Sequence, residues 1–264
     1  MDPESLKMLE GTLRKTMLSA SGVDLDVALA ELGWTEMLTD SAETTVPLVF
    51  RLLGETGSHA SILNDVVLQS SRRELGGTPA LPFAGNVQVV WDRSTGGPTS
   101  TVMGGLPLLR VEEGELLRLA EARRALGWWL IGSSRAMLSL ARRHALDRVQ
   151  FGKPIASFQA VRHRLADTLV AIEGAEATLT LSGVDNPDLT ALLAKAAAGK
   201  AALTAARHCQ QVLGGIGFTA EHALHHHVKR VLVLDGLLGS SRELTQKAGA
   251  GLRARGSVPR LAEL

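Results

Sequence analysis

Apolar residues recur along this chain at two periods, and the change between them divides it into three stretches. Leu6, Leu9, Leu13 and Leu18 fall near one stripe and predict an amphipathic helix over 4–20, interrupted at Ser21-Gly22. Val27 to Leu32 predicts a short helix ending at Gly33-Trp34. Val46 to Leu53 and Ala60 to Leu68 predict two more, with Gly54 and Gly57 between them. Residues 1–72 therefore read as an N-terminal helical subdomain.

Between 73 and 111 the pattern changes. Glycines and prolines from Gly76 to Pro107 punctuate short runs such as Val87–Trp91 and Ser100–Met103, which predict two to four strands. The stretch is too short for an independent β domain and reads as a reduced sheet resting on helices. From Glu112 the helical period returns. One long helix is predicted over Glu112–Arg148, with Leu119, Leu126, Leu130, Met137 and Leu140 among its apolar positions. A second covers Ala156–Leu181, antiparallel to the first because the turn between them is short. A third, rich in Ala, covers Asp188–Leu213, with Asp188 or Asn186 as its cap and Gly214-Gly215 closing it. A fourth runs from Glu221 towards Arg253, with breaks near Gly236 and Gly239. The predicted fold class is mainly α: a C-terminal four-helix bundle over 112–264, a small helical part and a truncated β region.

Totals narrow the function classes. The chain has 264 residues, 45% hydrophobic and 21% charged, which marks a globular protein. Lys and Arg number 28 against 27 Asp and Glu, a balance that gives no support to nucleic-acid binding as the main role. A single cysteine, Cys209, excludes an internal disulfide framework and fits a reducing compartment. No apolar run is read as transmembrane and no signal-peptide pattern opens the chain, so the expectation is a cytoplasmic protein without a membrane partner.

Two stretches carry candidate chemistry. In Arg148-Val-Gln-Phe-Gly-Lys-Pro-Ile155, Pro154 lacks an N–H and biases Lys153 away from the helical region. One helix should end near Phe151 and the next begin near Ala156. Arg148, Gln150 and Phe151 then stand together at a helix C-terminus: a fixed cation, an amide and an exposed ring, suited to a diphosphate and a stacked base. Alone, the stretch reads slightly better as a helical hairpin with an unengaged Arg. The second is Gln210-Gln-Val-Leu-Gly-Gly-Ile-Gly-Phe-Thr219, where three glycines allow backbone to approach a ligand. They follow a helix, unlike the dinucleotide fingerprint, which argues against a Rossmann-type site, and taken alone the stretch reads more readily as a plain interhelical loop.

In combination, Arg148-x-x-Phe-Gly-Lys-Pro-Ile, Phe158-Gln159-Ala-Val, Leu165-Ala-Asp167 and Gln211-x-x-Gly-Gly-Ile-Gly-Phe-Thr219 resemble the C-terminal domain of the acyl-CoA dehydrogenase family. Order, spacing and helical context match over residues 112–245. The resemblance implies an FAD-dependent enzyme that removes hydrogens from Cα and Cβ of an acyl-CoA thioester. It implies that Arg148 and Gln159 reach an FAD bound by a neighbouring subunit. Gln211, Gly214 and Gly215 would lie along its adenine side, with Phe151 next to the adenine and Gln150 in the same motif.

The family's base is a Glu before Gly-Thr on the last helix. By that match Asp235 occupies its position, one methylene shorter. The family's adenine-holding Thr and Gln correspond to Leu237 and Gly239. Where members carry the base on the first long helix, the match is Ala122, beside Glu121. The strand motif that grips the flavin ring is missing, and Ala80–Ala84 is its candidate remnant. The resemblance thus implies the small partner of a heteromeric enzyme, of the actinobacterial kind acting on steroid side chains or similar acyl-CoAs. A full-length partner would then supply the catalytic Glu. The rivals are a self-sufficient homo-oligomeric dehydrogenase using Asp235 and a cofactor-free structural or regulatory paralogue.

The remaining features read as structural. His222 and His225-His-His227 do not share one helix face and lack a carboxylate or Cys to complete a metal set, so no metal is assigned and a polar surface is expected. His144 and His163 read as solvated. Trp128-Trp129 reads as core or subunit interface, Cys209 as a small buried residue, and Lys195 and Lys200 as solvated edges.

Overall fold

The computed structural model describes residues 2–93, 105–180 and 186–258. Four helices come first: α1 (Pro3–Ser19), α2 (Val23–Glu31), α3 (Trp34–Thr56) and α4 (Leu63–Ser70). Asp2 opens α1 by accepting the N–H groups of Glu4 and Ser5 at 3.1 and 3.0 Å. The third helix is far longer than the 46–53 run predicts. It passes through Pro47 with a kink marked by non-helical Ser41, and Gly54 continues it. That glycine is a contact point and not a break.

The sheet is small and antiparallel, in the order β1 (Ala80–Phe83), β2 (Val87–Trp91), β3 (Leu108–Val111). Its register pairs Leu81 with Val89 and Trp91 with Leu108, which puts these four side chains in the core. The predicted strand at 100–103 lies outside the described residues. The outer edge of β1 is tied to the last helices: Leu238 N–H donates to Pro82 O at 2.7 Å and Ala84 N–H to Gly236 O at 2.8 Å.

The bundle consists of α5 (Ala120–Asp147), α6 (Gln159–Thr180), α7 (Pro187–Leu213), α8 (Leu224–Gly236) and α9 (Ser241–Arg255). The first begins at Ala120 and not Glu112, because Glu112-Glu113-Gly114 leads in as extended and irregular chain. The predicted fourth helix is two. They are separated at Leu237–Ser240, where Leu238 and Gly239 take φ of 59° and 98°, and Ser240 with Glu243 forms a capping box that starts α9. Asn186 caps α7 by accepting Leu189 N–H. This helix is long and apolar enough to cross a membrane, but 72% of its most apolar window is buried inside the protein, as a core helix requires.

Helix α5 is the centre of the packing, in contact with α3, α4, α6, α7 and α8. It meets α3 backbone to backbone. A Cβ on Gly132 would lie 2.0 Å from Arg51 O, and one on Gly54 would lie 2.3 Å from Trp129 O. Trp129 is fully buried and packs against Phe50 of α3 and Trp91 of β2, with ring centroids 5.9 and 5.7 Å away. One apolar cluster therefore runs from the first helices through the sheet into the bundle. Because the obstructing atoms at Gly132 are backbone, Gly132→Ala should force α3 away from α5 and cost roughly 1–3 kcal/mol or more. Urea unfolding should show a lower midpoint with an unchanged slope.

Candidate functional site

Arg148 is the C-cap of α5: its N–H still bonds His144 O at 2.9 Å, but its backbone is extended. The helix thus ends at Asp147, four residues before Phe151. A two-stranded hairpin follows, β4 (Val149–Gln150) against β5 (Lys153–Pro154), then a 3₁₀ turn over Ile155–Ser157. Its two-residue turn is Phe151-Gly152, with φ of 53° and 79°, the left-handed pair that matches hairpin twist. A phenylalanine in that conformation is strained. Its ring is nevertheless 91% exposed, braced edge-on by Phe158 at 6.1 Å, while Lys153 Nζ covers Phe158 at 4.7 Å. Arg148, Gln150 and Gln159 are all exposed, and Gln159 opens α6.

The second candidate stretch closes α7. Gln211 is exposed on its last turn. Gly214 follows with φ 66° and ψ −142°, a conformation that glycine alone takes readily, and its N–H bonds Gln210 O and Gln211 O. Gly214–Phe218 then forms a 3₁₀ turn. Gly217 seats this turn on α7, where a Cβ would meet Gln210 O at 2.7 Å; Gly214 and Gly215 have nothing within 4 Å of a Cβ position. The space beside their Cα atoms is open.

Helix direction brings the two stretches to one end of the bundle. Helix α5 runs to the hairpin, α6 returns, and α7 runs back, so Asp147 and Leu213 finish on the same side. On the last turn of α5, His144 is held below its usual pKa by partial burial and by the nearby charges of His222 and Arg148. Arg148 makes no ion pair among the described residues. The exposed guanidinium, ring, amides and open glycine backbone suit a dinucleotide's diphosphate and adenine.

Asp235 is not part of this group. It packs beside Gly199 of α7, about 21 Å along that helix from Leu213 at 1.5 Å per residue. Its carboxylate accepts Ser241 N–H at 3.2 Å and Ser241 Oγ–H at 3.4 Å, at the N-terminus of α9. Only 8% of the residue is exposed. The cation near it is Lys195, and not Lys229 or Arg242. Lys195 is fully buried, contrary to the solvated edge expected from sequence, and donates to Asp235 O and Gly239 O. Arg123 of α5 adds a bond to Leu238 O at 3.1 Å. One fully buried and one half-buried basic side chain therefore fasten the α8–α9 junction. A hint was present in the sequence: Ala191, Ala194, Ala198 and Ala202 place Lys195 on an apolar face.

The histidines also differ from a uniform polar surface. His225 and His226 stack with centroids 3.7 Å apart. His227 turns inward to Gly57, and burial pushes its pKa down to about 4. Among the described residues, no three His, Cys, Asp or Glu come together as a metal site. Trp128, Trp129 and Cys209 are buried and Lys200 is exposed.

Comparison with known proteins decides the family. The model of the acyl-CoA dehydrogenase C-terminal domain matches residues 116–248. The chain belongs to the acyl-CoA dehydrogenase family. It is 40% identical over 117 residues to acyl-CoA dehydrogenase IpdE2 of Mycobacterium tuberculosis, covering 44% of this chain and 37% of that one. It is 38% identical over 135 residues to acyl-CoA dehydrogenase FadE34 of the same organism, covering 47% and 19%. The matched region thus spans well under half the length of these curated relatives. A solved structure, the ChsE4–ChsE5 complex from Mycobacterium tuberculosis, superposes over 98% of this chain and 99% of that one with a TM-score of 0.71 at 18% identity. That likeness extends the family fold to nearly the whole chain, including the small sheet.

Burial of Lys195 has a measurable consequence. Desolvation pushes its pKa from 10.5 down to about 7, against the attraction of Asp235 and Glu243 and with the help of Arg123. Between pH 7 and 10.5 the unfolded chain binds more protons than the folded one, so stability from this residue rises with pH. The slope is at most about 1.4 kcal/mol per pH unit. Lys195→Met should flatten that rise, read from urea midpoints between pH 7 and the mid-alkaline range.

Proposed function

We propose that this chain is the smaller subunit of a two-chain, FAD-dependent acyl-CoA dehydrogenase acting on a bulky acyl-CoA such as a steroid side-chain thioester. The supporting observation is the division of roles within the fold. The hairpin and glycine turn present an exposed, unpaired surface, while the carboxylate at the position of the family's base is engaged in capping α9. When bound, FAD would supply the hydride acceptor for this chemistry. Arg148 would hold the diphosphate by charge-assisted bonds, assisted by Gln150 and by the backbone N–H of Gly215. Phe151 and Gln159 flank the adenine half, with Gln211 alongside. The base that takes the α-proton comes from the partner, as does the grip on the flavin ring. Names of the similar proteins favour this reading: ChsE4–ChsE5 is a complex of two chains, and a Tcur3481–Tcur3483 protein of like fold is described as a steroid acyl-CoA dehydrogenase.

Expression with a full-length acyl-CoA dehydrogenase subunit from a neighbouring gene tests this. A yellow two-chain complex is expected. Arg148→Ala should weaken FAD retention roughly 10- to 100-fold, the worth of one charge-assisted bond of about 1.5–3 kcal/mol. Asp235→Asn should leave turnover per bound flavin unchanged, whatever it costs in stability. A yellow homo-oligomer that loses turnover with Asp235→Asn would replace this reading with a self-sufficient dehydrogenase. A colourless chain that recruits no partner would end both.

A further inference from the structure

Half-buried arginines on this chain are matched to carboxylates, with one exception among the described residues. Arg14, Arg51, Arg93, Arg124 and Arg135 each lie within ion-pair distance of an Asp or Glu. Arg123 makes no such pair but feels the charge of Asp188. Arg230 of α8 has neither, and burial alone pushes its pKa down to about 10.

The Arg230 guanidinium is used at one end only. Its Nη1 donates to Gly57 O and to Ser58 O, the latter at 2.8 Å, and so serves carbonyls at the C-terminus of α3. Its Nη2 has His59 Nδ1 at 3.5 Å. That lone pair is already taken. Ser21 Oγ accepts His59 N–H at 3.2 Å, so its own proton goes to His59 Nδ1 at 2.9 Å. Arg230 Nε is covered and bonds nothing among the described residues. Capping two carbonyls therefore leaves the Nε–Nη2 edge unexplained. On that edge two N–H groups run parallel, the fork that receives both oxygens of a carboxylate. Space lies beside it. At Gly105, where φ is 77°, Arg230 Nη2 at 3.9 Å is the one atom found within 4 Å of a Cβ position among the described residues, chain neighbours aside.

The surroundings set the charge of what fits. His59 lies against Nη2, and His227 stands one turn before Arg230 on α8, against Gly57. Burial first, then the field of Arg230, pushes the pKa of each imidazole down to about 4, so both are neutral at pH 7. The cluster then holds one positive charge and no negative one. Taking a cation partly out of water is costly unless a counter-charge replaces the water. A monoanion balances this one. A dianion would call for a protonated histidine, which burial opposes.

We propose that the Nε–Nη2 edge of Arg230 binds a small carboxylate, a free organic acid of a few carbons, at the seam between α8 and the loop joining α3 to α4. None of these residues belongs to the hairpin or the glycine turn, and the proposal does not rest on the two-chain reading. Both oxygens of the acid accept from the guanidinium, and its short chain takes the space beside Gly105. The bound acid completes the counter-charge and braces α8 against the loop.

Sodium acetate is the probe, compared with sodium chloride and sodium phosphate of equal ionic strength, on the full chain at pH 7. Acetate should raise the thermal midpoint by about 2 °C or more above chloride. Arg230→Lys keeps the charge but loses the paired N–H groups, and should abolish that increment. Arg143→Lys, at an exposed position of α5, should keep it. An increment that survives Arg230→Lys, or is absent from the unaltered chain, overturns the proposal. If Arg230→Lys does not fold, proton–nitrogen NMR of the unaltered, isotope-labelled chain decides. The Arg230 Nε–H resonance, assigned through its own Cδ protons, should shift saturably with acetate and stay put with chloride. No shift, or saturation at lower phosphate than acetate, overturns the assignment of this edge to a carboxylate.

Discussion

The rest of the molecule depends on how closely α5 can approach its neighbours. At Gly132 and Gly54 two helices touch with no side chain between them. Further along, a Cβ on Gly127 would meet Leu179 Cδ2 of α6 at 2.7 Å. On α7, Ala191, Ala194, Ala198, Ala201, Ala202 and Ala205 are buried, so small side chains recur along the neighbouring helix as well. Small residues allow short interaxial distances, and short distances fix crossing geometry more tightly than a layer of flexible Leu would. That explains the unusual composition: few aromatics, no Tyr, and Ala and Gly in bulk. A rigid α5 then delivers Arg148 to a fixed place at its exposed end, where a two-residue hairpin takes over.

A second constraint acts at the opposite end of the chemistry. The α8–α9 junction is buried among this chain's own atoms. Phe83 of β1 lies against Gly236, where a Cβ would meet Phe83 Cζ at 2.5 Å. Leu237 and Leu238 are fully buried. Lys195 and Arg123 bind the junction's carbonyls, which would otherwise be orphaned at a helix C-terminus. A neutral amine retains two N–H donors, and Lys195 faces two carbonyls, so even its uncharged form satisfies the site. Sheet, cations and capping box together use the junction as a structural joint.

Much of this was legible from local pattern. The hairpin residues and the glycine turn are contiguous stretches whose conformation is set by their own Pro, Gly and neighbouring helices. Their place at one bundle end followed from short turns and alternating helix direction. The helical fold class and reduced sheet were legible for the same reason. What was not legible depends on distant partners. The length of α3 was hidden because Gly54 looks like a stop when its contact with Trp129 is unknown. The break of the last helix near Gly236 and Gly239 was legible, but not the Leu238 φ of 59° that makes it, which is held by surrounding bonds to Pro82 and Arg123. Lys195 resembles any surface lysine until a helix it cannot be known to touch is placed over it.

The strain at Phe151 connects these observations. A two-residue hairpin turn favours Asn or Gly at its first central position, and phenylalanine there costs of order 1–3 kcal/mol. The fold recovers only part of that through one edge contact with Phe158, and it leaves the ring in water. Neither backbone preference nor apolar burial within the subunit accounts for a phenylalanine at this position. A flat surface presented outward beside an unpaired arginine does account for it, because stacking and exclusion of water become available only when something covers the ring. The local cost is therefore not recovered within this chain, at the same end where Arg148 makes no ion pair among the described residues.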